Sequence, residues 1–208
     1  MWPRRPLTGF VIRLLMIYGV LCVPWPGVRQ GYAALYRAAG NGLFGSFGSG
    51  GVVRFRPLQA EQGRFDSEIK VGKRGSPHFT TTPYDSILAG YLPMAETIAL
   101  VLATPIPWRR RWEALFYGVL LANGFVALKV YILLLHWFSI EKPWALYTLS
   151  QFWNNVLAAV LEFIVVAPTC TFLVPVLIWI LVTFRREDIR RFVASTEKTV
   201  TAQPAPAA

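Results

Sequence analysis

Four apolar runs punctuate this chain, at roughly residues 7–25, 87–108, 114–138 and 156–184. Each is long enough to cross a hydrocarbon core of about 30 Å, which takes about 20 helical residues at 1.5 Å each. The pattern predicts four transmembrane helices. Between the first and second runs, residues 26–86 have a different rhythm. Tyr32, Leu35, Tyr36 and Ala39 recur at helical spacing within residues 28–39, which predicts a short amphipathic helix lying at the outer surface. GNGLFGSFGSGG, residues 40–51, is too glycine-rich for regular structure, and without a preceding strand or a Gly-Lys-Ser/Thr ending it is no phosphate loop.

In RFDSEIKV, residues 64–71, Phe65, Ser67, Ile69 and Val71 alternate with Arg64, Asp66, Glu68 and Lys70, the period of a half-buried strand. Residues 52–58 predict a second strand, and residues 59–63 have hairpin length. A two-stranded hairpin is marginal by itself. It needs a third strand, for which residues 78–82 are the candidate, or the membrane surface, or the strand edge of another protein. Val53, Phe55, Phe65, Ile69 and Val71 are therefore the candidate partner-binding strand residues.

The predicted fold class is an all-α integral membrane protein with a small β-containing insertion between helices 1 and 2. Its parts are an anchor helix (1–25), an extracytoplasmic segment (26–86), a three-helix membrane region (87–186) and a cytoplasmic helix end with a disordered tail (187–208). Composition agrees: 54% of the 208 residues are hydrophobic, 14% aromatic and only 15% charged. The first run ends in Cys22-Val-Pro-Trp-Pro-Gly without a small-x-small cleavage site, so it is expected to stay as a signal anchor.

A net charge of +10 could indicate nucleic acid, but its placement excludes that reading. Arg4 and Arg5 precede the first run, Arg109, Arg110 and Arg111 follow the second, and Arg185 and Arg186 follow the fourth. These are alternate ends of a four-span chain, so the excess of Lys and Arg on cytoplasmic flanks puts both termini inside and residues 26–86 outside. Trp108 and Trp112 stand where aromatic rings favour the interface.

No cofactor or metal site is expected: the two histidines, His78 and His136, belong to no Cys/His/Asp/Glu cluster with ligand spacing. Cys22 and Cys170 lie at different depths and suit small buried hydrophobes. Ionisable residues inside the runs resist so plain a reading, because charge in hydrocarbon costs at least about 2.5 to 3.5 kcal/mol. Counted from the outer ends of their runs, Glu96, Lys129 and Glu162 lie roughly 14, 14 and 9 Å deep. Glu96 shares a helix face with Ala99 and Ala103, and Glu162 with Asn155, Ala158 and Ala159. Small residues allow close approach, so Glu96, Lys129, Glu162 and Asn155 are expected to form one intramembrane polar network, as a clamp or as a proton or ion path.

The stretch GYLPMAETIALVLATPIPWRRRWEALFYGVLL, residues 90–121, followed by FVALKVYILLLHWF, resembles the exosortase H-associated family of small bacterial membrane proteins. The resemblance covers the second and third runs, and the rest by layout. It implies an inner-membrane accessory protein working beside an exosortase, the membrane enzyme that processes C-terminally anchored exported proteins. It supplies no catalytic residues, and this chain has no evident Cys-Arg-His constellation of exosortase type. Partners are then the lipid bilayer and a membrane protein. A small transporter or proton-coupled protein, marked by continuous polar lining, and a membrane enzyme, marked by convergence of Cys22 with a histidine, are the alternatives.

The topology has a direct test. Reporter fusions that require export are expected to be active after residues 75 and 145 and silent after residues 111 and 195; activity at 111 would overturn the four-span arrangement.

Overall fold

The computed structural model of the protein describes residues 6–23, 26–58, 65–140 and 145–184. Mostly helical, the chain also contains a small four-stranded sheet. In order come α1 (Pro6–Cys22), α2 (Pro26–Phe44), β1 (Ser46–Phe47), β2 (Gly51–Pro57), β3 (Ser67–Lys73) and β4 (Phe79–Tyr84). A π-helical turn (Ile87–Tyr91) then leads into α3 (Leu92–Ala103), followed by α4 (Trp108–Ile140), α5 (Gln151–Leu161), a second π-helical turn (Glu162–Val166) and α6 (Pro168–Thr183).

Among the described residues one helix, Trp108–Ser139, is by itself long and apolar enough to cross a membrane. The other runs are shorter or broken. The chain turns by 78° between Thr8–Cys22 and Gly27–Phe44, and by 74° between Gln151–Val166 and Thr169–Thr183. The expected single helix at 156–184 is thus two pieces. Its break falls at Ala167, whose extended backbone (ψ 119°) precedes Pro168, as proline disfavours helix in the residue before it. The run at 87–108 ends as helix at Ala103, because Pro105 and Pro107 cannot continue the ladder.

The sheet is an antiparallel meander in the order β1-β2-β3-β4. Of the alternation expected at 64–71 the part from Ser67 is borne out, with Ser67, Ile69 and Val71 buried, whereas Phe65 and Asp66 precede the strand and Arg64 lies outside the described residues; β4 supplies the third strand expected at 78–82. The inward face meets both α2 and α4. Val126, Val130, Leu134 and Phe138, spaced four apart on one ridge, pack with Val53, Phe55, Ile69 and Val71 of the sheet and with Tyr36 of α2. At 33 residues α4 is about 50 Å long, well beyond a hydrocarbon core of about 30 Å. The far end of the run at 114–138 is apolar in keeping with its place in the core it shares with the sheet.

Residues 40–51 correct the sequence reading further. The helix continues through Gly40 and Gly42 to Phe44, and residues 46–47 pair with β2. Gly40 lies flat on the Phe55 ring, where a Cβ would come within 2.8 Å of Cδ2. One residue on, the Asn41 side chain pairs with the Phe55 backbone as another strand would: Phe55 N donates to Oδ1 at 2.8 Å, and Nδ2 donates to Phe55 O at 3.0 Å. Val53 N donates to Gly45 O at 3.4 Å, and Pro57 has no N–H. The outer edge of β2 is closed.

A polar knot ties this domain to the helices. The Asp66 carboxylate accepts from Ser67 Oγ at 2.7 Å and from Ser86 Oγ at 2.9 Å, while Arg37 Nη1 donates to Ser67 Oγ at 3.2 Å. Tyr36 and Tyr84 stack beside it with ring centroids 5.6 Å apart. Burial raises both hydroxyl pKa values, that of Tyr84 to about 12.

Asn41→Ala leaves the Phe55 N–H and C=O without partners and should destabilise the sheet domain by about 1–3 kcal/mol. Thermal unfolding in detergent and hydrogen exchange at the Phe55 amide would measure it; unchanged exchange there would contradict the pairing.

Candidate functional site

The helical part is knitted around α3, which packs on α1, α4 and α6. At one end Tyr91 Oη donates to Leu21 O at 2.9 Å. At the other, Arg111 Nη2 donates to Thr104 O at 3.1 Å and Ile106 O at 3.3 Å, Arg110 Nη2 donates to Thr183 O, and Trp179 Nε1 donates to Thr104 Oγ1 at 2.8 Å. Arg110 therefore caps a carbonyl at the end of α6, and Arg111 braces the connection between α3 and α4, where Thr104 O also accepts from Ile106 N at 2.9 Å. Arg109 is exposed beside Trp108 and Trp112. A helix end at Thr104-Pro-Ile-Pro with arginines one turn later was the signal that could have revealed the caps. Arg4, Arg5, Arg185 and Arg186 lie outside the described residues.

The expected intramembrane network does not assemble. Lys129 is only 4% exposed, and its Nζ donates to Thr171 Oγ1 of α6 at 3.0 Å and lies 5.7 Å from the Phe125 ring centre. Glu96 is half-buried on α3 beside Tyr18 of α1, and its Oε2 has no hydrogen-bond partner among the described residues. Glu162 and Asn155 are exposed. The depth argument failed because it measured Lys129 from Phe138, which is core of the sheet domain, and assumed a straight helix at 156–184. Thr171, the partner Lys129 does have, was missed: nothing in its spacing marks a threonine four residues beyond a helix break. Both groups of the Lys129–Thr171 pair are buried, so neither is presented to a substrate.

The expected docking residues are also placed differently. Val53, Ile69 and Val71 are fully buried and Phe55 nearly so, because their side chains are the core facing α4. Phe65 is half-buried just before β3. The side of the sheet turned away from α4 carries Arg54, Arg56, Glu68, Lys70, Phe79, Thr81 and Pro83 instead. Arg54 stands opposite Lys70, and Arg56 opposite Glu68. Between α2 and α4 lies an apolar cleft of about 120 Å³, lined by residues such as Leu35, Leu43 and Val126, which suits a hydrocarbon chain better than a polar substrate. Among the described residues no three His, Cys, Asp or Glu side chains group as metal ligands.

In comparisons with known proteins, the chain matches no protein-family model, no curated protein and no solved structure.

Since Glu96 faces α1 and Lys129 faces α6, the changes Glu96→Gln and Lys129→Met should add within about 0.5 kcal/mol in unfolding experiments. A larger coupling energy in the double variant would show that the two groups meet after all.

Proposed function

We propose that this chain is a multi-pass protein of the bacterial inner membrane, with four helical spans and both termini cytoplasmic, and that it serves as a non-catalytic accessory to a membrane protein partner. Support for the membrane reading is the surface of the helices: Leu15, Met16, Phe116 and Leu181 are each 64% exposed or more, an apolar surface unsuited to water. In this reading α1, the π turn with α3, α4, and α5 with α6 are the spans, and the last is broken at Ala167. Non-helical backbone at such a break is tolerated where protein buries it.

The observation that carries the accessory reading is the sheet domain. It has a core packed against α2 and the Phe138 end of α4, a closed edge at β2 and, among the described residues, an open edge at β4. A domain so built presents a surface for recognition. The resemblance of residues 90–138 to exosortase H-associated proteins supplies the candidate partner, an exosortase-type sorting enzyme. The competing transporter reading requires polar groups in line across the bundle, and Glu96 and Lys129 face different helices.

Cells with and without this gene should differ in the processing of C-terminally anchored export substrates, and the protein should co-purify with the sorting enzyme. Unchanged processing together with no recovered partner would overturn the accessory role.

A further inference from the structure

Register and hydrogen bonds together decide which backbone groups of β4 are free. Phe55 N and O point to Asn41, away from β3, so β2 turns its even-numbered residues to β3. In an antiparallel ladder the pairs that exchange hydrogen bonds alternate with pairs that do not. With Arg54 against Lys70 bonded, Ile69 and Val71 turn to β4, where they meet Thr82 and Thr80. Tyr84 O accepts from Asp66 N at 3.3 Å, which agrees. Phe79, Thr81 and Pro83 therefore turn their backbone groups outward. Pro83 has no N–H, as suits an edge strand. Among the described residues the edge thus offers the N–H and C=O of Phe79 and Thr81 and the carbonyl of Pro83.

The charges beside this edge are unbalanced. Among the described residues Arg54, Arg56 and Lys70 share the open face with one carboxylate, Glu68. Like charges directly opposite, as Arg54 and Lys70 are, destabilise a sheet unless an anion stands near. Lys70 does not turn away from β4: its Nζ lies 4.7 Å from the ring centre of Phe79. Between Lys70 and the edge its own row holds only the short Thr81.

We propose that the outward edge of β4 accepts an extended acidic segment of a protein partner as a fifth strand, its carboxylates directed to Lys70. The inference rests on the reading that the outer domain docks a partner. Strands lie about 4.8 Å apart and alternate side chains repeat every 6.8 Å or so, so acidic residues two apart on an added strand would run along the same face as Lys70, two strands away and within the joint reach of the long side chains. Backbone pairing gives such a segment affinity and the basic face gives it selectivity. A second copy of this chain fits poorly, since two β4 edges would bring two basic faces together.

The full chain in neutral phosphatidylcholine nanodiscs is titrated with a fluorescent peptide of alternating valine and glutamate, with its glutamine counterpart, and with a version N-methylated at alternate residues. The glutamate peptide should bind about tenfold tighter than the glutamine peptide at low salt. Lys70→Gln should remove that preference, and Thr81→Pro should weaken both peptides about tenfold, because it removes an edge N–H without touching the β3 ladder. Weak binding of the N-methylated peptide tests the same point even if Thr81→Pro fails to fold. Absence of binding, or binding indifferent to both Thr81→Pro and N-methylation, overturns the strand-addition site. Charge-dependent capture of phosphatidylglycerol vesicles without peptide binding assigns the face to lipid and also overturns it. Co-purification of a sorting enzyme with the Thr81→Pro variant would refute this edge and leave the accessory role standing, whereas peptide binding without effect on substrate processing would do the reverse.

Discussion

Val126, Val130, Leu134 and Phe138 fill the inward face of the sheet, and the far end of the same helix sends Arg110 and Arg111 to the ends of α6 and α3. Packing along α4 therefore positions both halves of the molecule. Without the ridge, Val53, Phe55, Ile69 and Val71 would be an exposed apolar face on a sheet too small to cover itself. The knot around Asp66 and the Asn41 pairing add direction to that packing: they fix how α2 and the chain entering α3 leave the sheet.

The period-2 pattern at 64–71 was legible because one face of β3 is buried and the other is not. The apolar run at 114–138 was legible as a helix but not as two environments. Hydrocarbon and a protein core select the same side chains, so Leu134 and Phe138 carry no mark of which they meet. Glycine misled in the other direction. Gly40 and Gly42 suggested a loop, whereas α2 persists because Gly40 makes room for the Phe55 ring and Asn41 completes the β2 edge. Contacts between residues 14 apart in sequence leave no local trace.

Polar groups inside the helical region teach a related point. Sequence spacing suggested that opposite charges would meet, since an isolated charge in an apolar setting is costly. The fold instead gives Lys129 a hydroxyl from Thr171 and an aromatic neighbour, and leaves Glu96 half-buried at the α1 side of α3. Hydrogen bonding by a neutral group is a solution that charge counting does not anticipate. The arginine triplet shows the same limit: its charge suggested an orientation, but the contacts to Thr104, Ile106 and Thr183 depend on which segments converge there.

The uninterrupted length of α4 makes it a lever. Its 33 residues hold the helical bundle at one end and the sheet at the other with no hinge between. A tilt of roughly 5° at the Trp108 end would displace the far end by about 4 Å, close to one strand spacing. Such a tilt would carry with it the sheet core packed against Phe138.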